Sequence, residues 1–392
     1  MGRYLMRRAI SSAIALFIFL TVMFFVTEIV IPQDFTVQFA LSMNREEREQ
    51  LAEELGIDRP LWERYTNWLG RLVQGNLGTS FFGYPVAEYL KGLLPYTLLV
   101  FFVGTLIAFL FGQWLGKVVT WRASGVLTTA ATFSAIAFYT TFPPWLTFLV
   151  TYFLARRINL FRSAFGGRSI SEGLTREIWQ NSAASPEQVM LYMVAALVAM
   201  LAIVLLIGKL LEKRWRWHTP AALQALLFCA GTVGLWFAFG FGRRAIDILA
   251  LSGLPIVTYV LLSFGDTVLM MRTSMTDTLK EEYVNTARAK GLPDHAIRDR
   301  HAARNALLPV FSRLVIGLPY LLTGLVIIED VLGWPGISGA LFNSLYQQDM
   351  PVVMGALLMV GILSAVARLV LDVLYAVLDP RVRYRTVFSN HF

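Results

Sequence analysis

The sequence predicts an all-α, polytopic membrane protein, a transmembrane helical bundle of about eight spans with both termini in the cytoplasm. Three observations carry that prediction. Of 392 residues, 56% are hydrophobic and 15% are charged, against about a quarter charged in a soluble domain. The deficit is uneven: apolar runs of roughly 20 residues or more alternate with short charged stretches, the pattern of a chain whose solvent is lipid. Lysines and arginines gather where the runs end, which is where they fix orientation. Hydrocarbon leaves no partner for an exposed backbone group, so runs of this length read as helices.

The first run, 9–31, follows Arg3, Arg7 and Arg8. It exceeds the roughly 7–15 residues of a signal-peptide core and lacks a convincing small-x-small cleavage site, so it is expected to be a retained first span. The other expected spans are 94–119, 126–154, 187–211, 219–241, 244–271, 309–330 and 352–378. The N-terminal arginines place the N-terminus inside. Eight spans then put 117–125, 210–218, 272–308 and 379–392 inside. Each is basic, through Lys117 and Arg122, Lys213 with Arg214 and Arg216, seven Lys/Arg from Arg272 to Arg304, and Arg381, Arg383 and Arg385. The segment 155–186 falls outside although it holds Arg156, Arg157, Arg162, Arg168 and Arg176.

The chain thus divides into a first span (1–31), an extracytoplasmic loop (32–93), core spans (94–155), a stretch with two further spans (156–243), spans flanking an inside loop at 272–308 (244–385), and a tail (386–392). Within the outer loop, 44–55 (NREEREQLAEEL) reads as a helix. Asn44 is its N-cap, Glu46 and Glu47 lie in its first turn, and Gly56 ends it. The stretch 61–73 is amphipathic and carries Trp62, Tyr65 and Trp68, aromatics suited to the membrane interface or a subunit contact.

Several chemistries are excluded. The net charge of +8 comes from residues at span ends, so no nucleic-acid partner is expected. Cys229 is the single cysteine, and no disulfide can form within the chain. His218, His295, His301 and His391 all lie outside the span centres, which argues against a proton relay or an intramembrane metal. Gly112 to Lys117 superficially resembles a phosphate loop. It has three residues between its glycines and Val118 where Ser or Thr belongs, so Gly112 and Gly116 read instead as a close helix–helix contact.

Three further features concern the membrane interior. Asp266 lies in a span, where a carboxylate costs about 3 kcal/mol. It is expected to line a substrate path or to be a structural hydrogen-bonding partner near the inner interface, since Arg272 is only six residues on. Pro143 and Pro144 interrupt the third span and predict a break beside a path or a kink. Arg368 and Asp372 stand one turn apart and are expected to pair.

The most informative segment is 281–309 (EEYVNTARAKGLPDHAIRDRHAARNALLP). The spacing predicts a helix over 275–290 with a small-residue face at Ala287 and Ala289. Gly291 stops it in the left-handed region. Pro293 and Asp294 then open a second helix running to about 308. Two short helices projecting into water around a fixed hinge suit insertion into a groove on another protein.

That segment resembles the EAA loop of binding-protein-dependent ABC importer permeases, in the dipeptide/oligopeptide branch, first of its two permease types. The matching stretches are 283–291 (YVNTARAKG) and 300–309 (RHAARNALLP). Three other motifs agree: 56–61 (GIDRPL) with 75–80 (GNLGTS); 334–336 (WPG) with 349–353 (DMPVV); and Asp372 with 378–381 (LDPR). The likeness covers roughly 1–155 and 244–385. It implies six core spans, which makes 156–243 an insertion; the low content of mid-span polar residues there leads to the expectation that it packs peripherally. Asn285 stands where the branch often has a charge.

The resemblance further implies a bacterial or archaeal inner-membrane transport subunit that performs no chemistry. Its loop, formed by Glu282, Tyr283, Asn285, Thr286, Ala287, Arg288, Ala289, Lys290 and Gly291, would dock on an ATPase, with Tyr283 packing into it. Partners would be a second homologous permease, two ABC ATPases, an extracytoplasmic binding protein and lipid. ATP and Mg would sit in the ATPases, and this chain would bind no cofactor or metal. The cargo class implied is di- and oligopeptides, with oligosaccharides or nickel chelates as the alternative. An ion-coupled secondary transporter would need more midplane charge than Asp266 supplies. An integral-membrane enzyme would need a constellation of reactive side chains that the sequence lacks.

Overall fold

A computed structural model of the chain describes residues 2–30, 35–39, 42–122, 125–157, 184–215 and 221–378. The expected basic loop between the third and fourth spans falls mostly outside the described residues. So do the C-terminal motif beyond 378, the tail, and the side chain of Asp372 with its expected pairing.

The long helices are α1 (Gly2–Val30), α4 (Val86–Arg122), α7 (Pro186–Trp215), α9 (Gly242–Thr278), α11 (Ala303–Leu332) and α13 (Met350–Leu378). Shorter ones are α2 (Arg45–Leu55), α3 (Leu61–Val73), α5 (Val126–Thr140), α6 (Pro143–Val150), α8 (Ala221–Ala238), α10 (Glu282–Ala289) and α12 (Ile337–Tyr346). Five helices among the described residues are long and apolar enough to cross a bilayer, or up to seven if each of two bent pairs counts as one span. Eight were expected. The third expected span is not one helix: α5 and the helix from Pro143 bend by 115°. Pro143 and Pro144 lack the N–H groups that would continue α5 and sit instead in the first turn of α6. The two prolines therefore make a break. The fifth expected span is α8, 18 residues long or about 27 Å, at the short end of what can cross.

At the centre, α4 and α9 lie in contact along most of their length. Gly104 faces Tyr259, Gly112 faces Phe264 and Thr267, and Gly116 faces Val268 and Met271. The partners advance together, so the helices run parallel. A Cβ at Gly112 would lie 2.7 Å from Thr267 Cβ, and one at Gly116 would lie 2.7 Å from Met271 Cβ. The close contact expected of Gly112 and Gly116 is thus the contact between α4 and α9, where small residues let backbones approach.

The main core joins Tyr96, Leu99 and Val100 of α4 to Ile248 and Leu251 of α9, Trp236 of α8 and Leu325 and Ile328 of α11. Val189, Met190 and Met193 of α7 are fully buried there, and the Tyr96 hydroxyl donates to Glu187 at 2.7 Å. This corrects the expectation of a peripheral insertion: the first turns of α7 are built into the core, while its later turns are mostly exposed.

The outer loop carries the expected caps. Asn44 and Glu47 form a reciprocal capping box, and Gly56 ends α2 at φ +68°. The aromatic face of α3 meets its own chain: Tyr65 is buried, its hydroxyl bonds Thr21 at 3.1 Å, and Trp68 stacks on Phe24 at 5.2 Å. Trp62 alone of the three stays well exposed.

Two of the motifs that carry the resemblance meet in space. Ser80 and the backbone N–H of Phe81 donate to the buried carboxylate of Asp349, just ahead of α13. The sequence reading missed a second buried carboxylate, Glu329. It accepts from Thr97 Oγ1 (2.9 Å) and from the N–H groups of Ser338 (2.9 Å) and Gly339 (3.1 Å) at the start of α12. Trp334 closes the corner by donating from Nε1 to Tyr96 O at 3.2 Å. A Cβ at Gly336 would land on the Glu329 carboxylate, so this corner requires glycine. Glu329→Gln keeps one acceptor and turns an amide N–H₂ toward donors. It is expected to lower stability by about 1–3 kcal/mol, read as an earlier thermal transition of the detergent-purified chain.

Candidate coupling site between α9 and α11

The chain leaves α9 at Thr278, turns over 279–281 and enters α10. The expected continuous helix over 275–290 is therefore two pieces. Gly291 has φ +72°, as the expected stop requires, and its N–H bonds Arg288 O at 2.9 Å. Pro293 caps the next turn with Asp294 inside it. A π-helical turn over Ile297–Ala302 then leads into α11.

The α10 helix is amphipathic on a small scale. Val284 and Ala287 are buried against Ile297, with Trp121 of α4 and Leu279 beside them. Glu282, Tyr283, Asn285, Thr286, Arg288, Ala289, Lys290 and Gly291 are exposed. The expected small-residue face at Ala287 and Ala289 does not form. Two residues apart on a helix is about 200° of rotation, and Ala289 points outward while Ala287 points in. Tyr283 is partly exposed, and its hydroxyl accepts from Asn305 Nδ2 of α11 at 2.8 Å, so it bridges the two halves of the loop.

Below α10, Ala302, Ala303 and Ala306 pack on Met271 and Met275 of α9 and Phe109 of α4. Ser274 Oγ donates to Ala306 O at 2.8 Å. One ion pair crosses to α4, from Lys117 Nζ to Asp299 Oδ1 at 3.5 Å, with Arg298 bonding the same carboxylate at 2.6 Å. The hydrogen bonds from Arg298, and then the charge of Lys117, hold Asp299 below the usual carboxylate range against its partial burial. A depressed folded-state pKa contributes stability above the unfolded value of about 3.9, and that contribution is lost as pH falls through the folded one. Asp299→Asn is expected to loosen the loop's tie to α4 at neutral pH and to change nothing at a pH below the folded value. Both are measurable as proteolysis rates of the loop at the two pH values.

The sequence shows no sign that Lys117 and Asp299 meet, because 182 positions separate them and each reads as an ordinary span-end charge. The other expected site residues fall elsewhere. Asp266 pairs with Arg313 Nε of α11 at 3.2 Å. Arg272, six residues on, donates from Nη1 to Thr132 of α5 at 3.0 Å. The available signal was Arg313 itself, a second charge inside an apolar run. Pro143 and Pro144 are partly buried at the break between α5 and α6.

The site is therefore a helix with a polar outer face, seated on the inner apolar ends of two glycine-packed parallel helices. Among the described residues no group of three or more His, Cys, Asp or Glu side chains is placed to hold a metal ion. The loop, α4 and α9 share one packed base, so a displacement of α10 would reach both long helices.

Comparison with known proteins bears on this geometry. The pattern of the family described as "Binding-protein-dependent transport system inner membrane component" matches residues 219–384. That of "Binding-prot-dependent transport system membrane comp, N-term" matches residues 1–85. Together they cover more than half of the chain, the α10 loop included. The chain is 27% identical over 387 residues to the "Oligopeptide transport system permease protein AppB" of Bacillus subtilis, covering 98% of this chain and 100% of that one. It is 26% identical over 388 residues to the "Dipeptide transport system permease protein DppB" of Escherichia coli K12, again covering 98% and 100%. It is also 27% identical over 383 residues to the "Di/tripeptide transport system permease protein DppB" of Pseudomonas aeruginosa, covering 96% and 98%.

Proposed function

This chain belongs to the binding-protein-dependent transport system inner membrane components and is a permease subunit of a bacterial ABC importer; we propose that its cargo is di- and oligopeptides and that α10 is the element through which ATP hydrolysis moves it. The cargo reading rests on three aligned relatives whose names specify dipeptide, di/tripeptide and oligopeptide transport. The coupling reading rests on one observation: α10 turns a polar face outward while its inner face shares an apolar seat with Trp121 of α4 and Leu279 after α9. A partner that moves α10 therefore moves two long helices as a unit.

In this reading the chain forms half of the translocation route and a second homologous permease forms the other half. Two ABC ATPases hold ATP and Mg, one of them docked on the face formed by Tyr283, Asn285, Thr286, Arg288, Ala289 and Lys290. An extracytoplasmic binding protein delivers the peptide. The chain itself hydrolyses nothing and holds no cofactor.

The test is ATP hydrolysis by the complex that co-purifies with this chain, reconstituted in lipid, with and without its binding protein and a pool of short peptides. Stimulation by binding protein plus peptides is expected. An ATPase indifferent to peptides would redirect the cargo to oligosaccharides or nickel chelates. No co-purifying ATPase would overturn the coupling assignment.

A further inference from the structure

The spans hold an ion pair that the coupling site does not use. Asp266 of α9 and Arg313 of α11 meet through three N···O contacts of 3.2–3.4 Å, looser than the roughly 2.7–2.9 Å of a tight charge-assisted bond. Asp266 lies six residues outward of Arg272 on a spanning helix, about 9 Å deeper into the bilayer. Yet the two side chains remain 33% and 48% exposed in this chain. A charged pair at that depth does not face hydrocarbon, because intramembrane charges face the protein interior or a water-filled cavity.

A third helix completes the feature. Tyr139 of α5 lies against the Arg313 guanidinium. Gly265, beside Asp266, admits α5 so closely that a Cβ there would meet Ala135 O. One turn and a half inward, Thr132 of α5 receives Arg272 of α9 at 3.0 Å. Thr132 and Tyr139 are seven residues apart, on one face of α5. The polar groups thus form a seam that runs outward from the inner end along α5 and α9, ending at the partly exposed pair.

We infer that the Asp266–Arg313 pair lines a water-filled stretch of the translocation route and receives the charged ends of a zwitterionic cargo, the α-carboxylate on Arg313 and the α-ammonium on Asp266. This rests on the peptide reading for the identity of the cargo. The pairing itself sets the strength of the site. A lone arginine would hold a carboxylate firmly, whereas Asp266 competes for the same guanidinium, and a conducting route needs a site favourable enough to enter and weak enough to leave.

The experiment uses the assembled importer in lipid with Cys229→Ser, which removes the exposed native thiol. Arg313→Cys is probed with a membrane-impermeant, charged methanethiosulfonate. Labelling is expected, as for any side chain that faces water. In parallel, Asp266→Asn with Arg313→Gln removes both charges and leaves neither unpaired. Its KM for free-ended dipeptides should rise roughly tenfold or more, the cost of a lost charge-assisted bond, while N-acetylated, C-amidated dipeptides are carried as by the parent. An equal loss for both peptides would mean a structural pair and would overturn the inference. If the double variant does not assemble, the labelling decides, and an unlabelled Arg313→Cys overturns the inference. A parent importer that ignores peptides while Arg313→Cys is labelled overturns the cargo reading and keeps a water-facing pair. A peptide-stimulated importer with an unlabelled Arg313→Cys does the reverse.

Discussion

Replacing Gly112 and Gly116 together by valine will abolish the assembled permease, while valine at Gly92 will leave it intact. The contrast follows from what each new side chain meets. A Cβ at Gly112 would stand 2.8 Å from the carbonyl oxygen of Phe264, and one at Gly116 would stand 2.9 Å from that of Val268. Backbone carbonyls cannot step aside as a flexible side chain can, so α4 and α9 must separate along their common length. Overpacking of this kind costs about 1–3 kcal/mol per site, and the two sites lie one turn apart on one interface. Total stabilities run to roughly 5–15 kcal/mol, so the double variant loses a large share. Gly92 sits on the same helix with open space around it, and valine there meets no neighbour and has a slightly better helix propensity than glycine. Size-exclusion profiles of the two variants in detergent, against the parent, decide it. A double variant that elutes and melts like the parent would show that α4 and α9 are not held at glycine distance in the membrane.

The separation of α4 from α9 matters because of what stands on their ends. The seat of α10 draws on Trp121 of α4, and the base of α11 draws on Met271 and Met275 of α9 and Phe109 of α4. If the two helices part, the loop loses a common floor, and a pull on α10 no longer reaches both. In the proposed coupling, packing in the middle of the bilayer and docking at its edge are therefore parts of one device.

How much of this could be read from the chain depends on the range of the interaction. Local rules held closely. Asn44 and Gly56 cap α2 through groups three or four residues away, and the left-handed Gly291 sits where its sequence neighbours place it. The two prolines at 143–144 told of an interruption, but the size of the bend was not in the dipeptide. It follows from where α6 finds its buried face, at Leu146 and Val150 against Leu254. Residue chemistry in lipid also narrowed the partners of Asp266 without naming Arg313, because a carboxylate states what it needs and says nothing about which span supplies it. Least legible were Glu329 and the Lys117–Asp299 tie. Glu329 looks like a polar residue near a span end, and only the folding back of α12 turns two N–H groups onto it. The apolar composition of 156–243 suggests peripheral packing, yet composition does not distinguish a helix facing lipid from one whose first turns fill a core.

Ala287→Glu is expected to leave the permease assembled and to uncouple it. Ala287 is buried against Ile297 and Val284, and a carboxylate in that space would lack a partner. Burying such a group costs several kcal/mol. An eight-residue helix held by Val284, Ala287 and the Tyr283–Asn305 bond has little to set against that cost. The glutamate therefore reaches water by lifting α10 from its seat. The spans, whose packing does not involve Ala287, stay as they were. ATP hydrolysis by the partner subunits should persist at its unstimulated rate, while peptide uptake falls more than about tenfold, the effect of roughly 1.4 kcal/mol in coupling. Ala289→Glu provides the contrast. That side chain already faces water, so α10 keeps its seat, and any loss appears as weaker co-purification of the ATPases. Uptake, ATPase rate and co-purification measured on both variants separate the two faces of one short helix. Equal behaviour of the two would mean that α10 does not pass motion through its buried side, and the link from ATPase to spans would have to run through the π-helical turn and α11 instead.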